Sequence, residues 1–235
     1  MIMLADNYFR LLDTVKAAES RYSREPNSVH IIAVSKNQNA EAVRKIAKLG
    51  QKDFGENQVQ EGIDKITTLT ALDTVWHFIG SIQANKCRKI AAYFSWAHSI
   101  DRLKIAVRLS NLRPATAPPL NVFLQVNMQD EATKSGVTPI ALAELAHSVS
   151  LLPALKLRGL MAIPVAEENM TRQRSTFSKL RTLRDTLNND LDLKLDCLSM
   201  GMTNDFESAI AEGATHIRVG TAIFGSRKEF DKKER

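Results

Sequence analysis

The residues of this chain best suited to chemistry are one lysine and two serine- and glycine-rich turns far downstream of it. Lys36 closes the string "HIIAVSK" at residues 30–36. An amine held in a partly dry pocket loses proton affinity, and its neutral form attacks carbonyl carbon. The same position has an ordinary reading, a lysine whose stem lies along a rim while its ammonium stays in water. The turns are "LSMGM" (198–202) and "RVGTAIFG" (218–225). Glycines such as Gly201 and Gly220 let backbone N–H groups approach an anion. The hydroxyls of Ser199 and Thr221 add donors. Either turn alone reads as an ordinary tight connection between a strand and a helix.

Those residues need a scaffold that brings residue 36 near residues 199–221. Short apolar strings recur at 30–36, 53–57, 76–81, 96–101, 121–127, 156–164, 196–202 and 216–225. Segments with helical spacing, such as "NAEAVRKIAKLG" and "PIALAELAHSVSLL", lie between them. Strands buried on both faces read as continuous apolar runs, and strand–helix alternation implies a parallel sheet. Eight such units predict an α/β fold, a single (β/α)8 TIM barrel spanning 1–235. A rival open doubly wound sheet would show a glycine-rich fingerprint at its first turn, which is missing. Tyr8, Leu11, Leu12, Val15 and Ala18 predict an extra N-terminal helix within residues 1–25. Residues 226–235 read as a charged tail.

In such barrels the active site lies at the C-terminal ends of the strands, with phosphate bound by the loops after strands 7 and 8. Lys36, Asn57, Ser81, Ser99, Asn127, Ser199 and Gly201 fall at strand ends, and Arg218, Gly220 and Thr221 in the last string. An amine on strand 1 opposite an anion cup on strands 7 and 8 suits a ligand with an aldehyde at one end and a phosphate at the other. Pyridoxal 5′-phosphate (PLP) is such a ligand. Arg218 shares a face with Gly220. It reads either as an ion-pair partner in the barrel or as a donor to the pyridine nitrogen. An arginine only donates, so it would leave that nitrogen unprotonated and the ring a weaker electron sink.

Composition limits the partners. The chain has 235 residues, 44% apolar and 25% charged, with a net charge of +6 spread along it. Nucleic acid binding is a weak inference from that spread, and a protein that handles an anionic small molecule fits it equally well; no nucleic-acid partner is expected. No apolar run approaches membrane-spanning length, and the N-terminus lacks a signal-peptide pattern. Cys87 and Cys197 make no disulfide framework and have no metal-ligand spacing with histidine, so a cytoplasmic setting is expected. His77, inside a strand, reads as a satisfied barrel histidine rather than a base. Lys134, Lys232 and Lys233 are weak candidates for contact with an anion.

"AVSK", "FGENQVQE", "WHFIGSIQANK", "SIDR", "LQVNMQDEATKSG", "LRGLMAIP" and "LSMGMTNDFESAIAEGATHIRVGTAIFG" occur in this order. They resemble the motifs of the pyridoxal phosphate homeostasis proteins, from the first strand to Gly225. That family is similar to the barrel half of alanine racemase standing alone, the PLP fold type III barrel without its β-domain. The resemblance implies that Lys36 carries PLP as an aldimine. It further implies that Ser199, Gly220 and Thr221 hold the phosphate, that Arg218 faces the ring nitrogen, and that Asn57 and Met161 line the ring; Gly201 is expected among the cofactor-binding residues. Gln58, Thr203 and the run Asn37-Gln38-Asn39 depart from the family pattern and put cofactor affinity or access in question. The implied role is intracellular PLP homeostasis, with buffering and delivery through transient contacts with PLP-dependent apoenzymes, by a monomer. A PLP-dependent amino-acid racemase is the alternative. Racemisation needs an acid/base group on each face of the cofactor, and Tyr8, Tyr22 and Tyr93 all lie away from strand C-terminal ends.

Overall fold

A computed structural model of the chain describes residues 2–128 and 135–225; Lys134 and the tail 226–235, with Lys232 and Lys233, lie outside the described residues. Eight parallel strands close into a barrel in sequence order: β1 (His30–Val34), β2 (Asp53–Glu56), β3 (Val75–Phe78), β4 (Trp96–Ile100), β5 (Leu120–Gln125), β6 (Leu155–Met161), β7 (Cys197–Ser199) and β8 (His216–Val219). Closure comes from β8 pairing with β1, where Ile32 aligns with Arg218 and Ala33 with Val219. The outer layer holds α2 (Ala40–Lys48), α3 (Val59–Thr68), α4 (Cys87–Tyr93), α5 (Leu103–Leu112), α6 (Leu142–Ser150), α7 (Met170–Leu191), α8 (Phe206–Ala211) and α9 (Thr221–Phe224).

The extra N-terminal helix is α1 (Ile2–Arg21). Tyr8, Leu11, Val15 and Ala18 form its buried stripe, which packs against α8 and α9, while Leu12 is half-buried. Glu19, buried at the end of α1, accepts from the N–H groups of Asn27 (3.1 Å) and Val29 (2.9 Å), and so fixes how the chain enters β1. The eighth string is not one strand. It divides at Gly220 into the four residues of β8 and the short helix α9.

Alternation along the strands creates two cores. Outward-facing residues such as Ile31, Phe54, Phe78, Leu124 and Leu198 pack under the helices in the larger one. Inward-facing residues fill the barrel, where Phe123, Met161 and Cys197 pack with Trp96. The Phe123 ring lies 4.5 Å from that of His98 and 5.4 Å from that of His216. The interior therefore contains polar rings, which must be hydrogen-bonded to be tolerated there.

Candidate cofactor site

β1 ends at Val34, and Lys36 stands two residues further on, half-buried in the turn that leads to α2. The backbone on both sides of it is held. Lys65 Nζ, from α3, donates to Ser35 O (2.6 Å), and Asn37 N donates to Glu61 Oε1 (2.6 Å). Lys65 also pairs with Glu56 and Glu61, each at 2.7 Å, and Ser35 Oγ donates to Glu56 Oε1 at 2.6 Å. Burial pushes the Glu56 carboxyl above its ordinary range, and the bonds from Lys65 and Ser35 pull it back. The Lys36 ammonium itself has no hydrogen-bond or ion-pair partner among the described residues. The turn thus holds the backbone tightly and leaves the amine free.

The departures in this turn have local reasons. Asn37 adopts φ 61°, a left-handed conformation that asparagine tolerates better than most residues. Asn39 caps α2, accepting from Ala42 N at 2.8 Å, a cap worth about 1 kcal/mol. Gln58 precedes α3 without a side-chain cap bond and is exposed at the mouth.

Arg218 lies inside the barrel on β8, next to β1, and is 5% exposed. Its Nη1 donates to Ser199 Oγ (2.7 Å) and its Nη2 to Ala162 O (2.9 Å). Burial brings its pKa down to about 10, with the nearby Asp205 carboxylate acting in the opposite direction. It remains a cation at neutral pH, with further N–H groups left to donate. Gly201 reaches this arginine through its carbonyl, which accepts from Arg218 N at 2.9 Å. Its φ of +92° suits glycine, and a Cβ there would lie 2.6 Å from Ala209 Cβ and 3.0 Å from Phe206 Cα. Gly220 starts α9, and Ile223 and Phe224 donate to its carbonyl; the N–H groups of Thr221 and Ala222 have no backbone acceptor among the described residues. Thr221 is exposed at the rim.

The strand order brings β7, β8, β1 and β2 side by side, and with them Ser199, Arg218, Gly220, Lys36 and Asn57. Asn57 is exposed at the mouth, and Gly80 packs on its backbone. Met161 is fully buried in the inner core. One placement differs from expectation. The Ser199 hydroxyl is fully buried and lies within the barrel, taken up by Arg218 and by His98 Nδ1 at 2.9 Å. A cavity of about 500 Å³ opens over β3–β6, lined by Ser81, Ser99, Gln125 and Pro164 among others, and none of the eight expected residues lines it. A larger groove, about 650 Å³, runs along the outer face of α5, away from the strand ends.

Two sets of residues escaped the sequence reading. The Glu56–Glu61–Lys65 clamp left a partial signal, a Glu–Lys pair four residues apart on a helix. His98 and Asp53 left only one, a polar residue facing inward along an otherwise apolar strand.

The alanine racemase N-terminal domain family matches residues 11–228. A curated protein of Pseudomonas aeruginosa named "Pyridoxal phosphate homeostasis protein" is 50% identical over 227 residues, 97% of each chain. The chain belongs to the pyridoxal phosphate homeostasis protein family. A second member of that family, from Escherichia coli, is 46% identical over 233 residues, covering 98% of this chain and 99% of its own. A solved structure, PipY of Synechococcus elongatus with PLP bound, is 39% identical and superposes with a TM-score of 0.79 over 88% of this chain and 97% of its own.

Proposed function

We propose that this chain is a PLP-binding protein of intracellular PLP homeostasis, a single-barrel monomer of the cytoplasm that buffers the cofactor and delivers it to apoenzymes. The observation that carries the proposal is the pairing of an amine at Lys36, just past the end of β1 and unpartnered among the described residues, with an arginine fixed inside the barrel at 218 on the adjacent strand β8. The residues present fit the group. Lys36 supplies an amine able to hold the aldehyde as a Schiff base. Arg218 supplies a donor that cannot accept, the partner for an unprotonated ring nitrogen. The N–H groups of Thr221 and Ala222, with the Thr221 hydroxyl, supply donors for a phosphate. Asn57 and Met161 would line the ring, and Gly201 holds Arg218 in register. When bound, the cofactor supplies an electron sink, and Arg218 weakens it by keeping the nitrogen unprotonated.

That weakening favours storage over catalysis. So does the placement of the tyrosines. Tyr8 is buried in α1 and donates to Gln51; Tyr22 lies beside Arg174; Tyr93 ends α4. Each belongs to the outer layer, away from the second face a racemase base must occupy. No helix among the described residues is long and apolar enough to cross a membrane.

Two assays test the proposal. Loaded protein should restore activity to an apo-transaminase, and mixing it with L- or D-alanine should leave optical rotation unchanged over many equivalents. Sustained racemisation, or no transfer, would overturn it.

A further inference from the structure

The barrel interior contains a continuous chain of hydrogen bonds that ends on Arg218. Asp53 Oδ1 lies 2.9 Å from His77 Nε2. His77 Nδ1 lies 3.0 Å from His98 Nε2, and His98 Nδ1 lies 2.9 Å from Ser199 Oγ. Ser199 Oγ accepts from Arg218 Nη1 at 2.7 Å. The chain draws on β2, β3, β4, β7 and β8, so it crosses the barrel. His77, His98 and Ser199 are fully buried.

Both ends of the chain have a fixed sense. A carboxylate only accepts, so the proton between Asp53 and His77 sits on His77 Nε2. A neutral imidazole carries one proton, so His77 Nδ1 must accept, and the donor is His98 Nε2–H. His98 Nδ1 then accepts in turn, from the Ser199 hydroxyl. At the other end an arginine only donates, which leaves the Ser199 oxygen as acceptor and its proton free to point at His98. The two directions agree at every link. We infer that Asp53, His77, His98 and Ser199 form a proton-ordered relay that orients Arg218, with Asp53 at one end and Arg218 at the other favouring the same two histidine tautomers.

His77 and His98 are positioning residues in this arrangement, acting on Arg218 through Ser199. Burial is the largest cause lowering the pKa of both rings; the Asp53 carboxylate pulls His77 the other way without reversing it, and His98 is lowered further by His77, His216 and Arg218, so with both rings neutral each can accept. With the hydroxyl committed, Arg218 is held at two points, Nη1 on Ser199 Oγ and Nη2 on Ala162 O. The inference deepens the assignment of Arg218 as the ring-nitrogen partner and rests on it only for its purpose, not for its geometry.

Long-range ¹H–¹⁵N correlation of histidine-labelled protein without cofactor reads the tautomers directly. His77 and His98 should both be neutral and protonated at Nε2. Asp53→Ala removes the terminal acceptor. In that variant the His98 ring nitrogens, two hydrogen bonds away, should shift toward a tautomer mixture. Exchange of the Arg218 side-chain protons should quicken by up to about fivefold, the factor reached if the bond to Ser199, about 1 kcal/mol, were lost outright. A wild-type His98 protonated at Nδ1 would overturn the relay without any variant, as would His98 nitrogens unmoved by Asp53→Ala. Failure of PLP to attach to Lys36 would sink the carrier proposal and leave these signals unchanged, so the two failures are distinguishable.

Discussion

Replacing Lys65 with methionine should destabilise the protein in a way that depends on pH. Lys65 is 5% exposed and is the cation that pairs with Glu56, which is fully buried, and with Glu61. Without it, Glu56 would be a buried carboxylate whose remaining partner is Ser35. Removing one member of a buried pair is far more damaging than removing both. The carboxyl escapes that penalty by taking up a proton. Its ordinary pKa is 4.5, and holding it neutral costs about 1.4 kcal/mol for each pH unit above that value, so about 3.4 kcal/mol at pH 7 and about 1.4 kcal/mol at pH 5.5. The bond to Ser35 O is lost as well, which should also loosen the Lys36 turn. Urea unfolding of wild type and Lys65→Met at both pH values measures the difference. The buried histidines contribute equally to both proteins and cancel. A deficit under about 1 kcal/mol at pH 7, or one equal at the two pH values, would refute the clamp. Glu56→Gln in the Lys65→Met background should recover most of the loss at pH 7.

Other expectations follow from the same geometry. Burial first, and the neighbouring histidines and arginines second, lower the pKa values of His98 and His216 well below 6.5, with Asp196 opposing the shift at His216. Their folded values lie below their unfolded ones, so stability is full above pH 6.5 and falls as pH drops through that value. Each should cost about 1.4 kcal/mol by pH 5.5, partly offset by Glu56 and Asp205, whose values are raised; urea midpoints that do not fall between pH 7.5 and 5.5 would contradict this. Gly201→Ala combines a φ of +92° with a 2.6 Å approach to Ala209, and should cost about 2–4 kcal/mol and lower Tm by roughly 5–12 °C. Arg218→Gln should weaken PLP binding at least about tenfold, read by equilibrium dialysis; unchanged affinity would remove Arg218 from the site.

The barrel was legible because parallel strands covered on both faces appear as apolar runs, and eight of them leave few alternatives. Lys36, Arg218, Gly220 and Thr221 were legible because they fall where a barrel strand ends. The strands proved shorter than the strings. Ser35 and Lys36 continue the first string past the end of β1, where the Ser35 carbonyl is taken by Lys65. Ser199 was legible as a polar residue at the end of β7 but not as an inward one. It shares a face with Cys197, and only the closed barrel shows that this face meets Arg218 and His98. Glu56 was noticed only as part of a motif, since its partner sits nine residues on, in the next helix. Interactions across the barrel have no sequence period, which is why the relay from Asp53 left no pattern.

The most direct test of the account is to add PLP to the purified protein, reduce with borohydride, and map the modified peptide by mass spectrometry. The account predicts one pyridoxyl group on Lys36, a yellow colour lost on reduction, and no labelling in Lys36→Ala. Stable labelling of a different lysine, or bound PLP that borohydride leaves unattached, would contradict it.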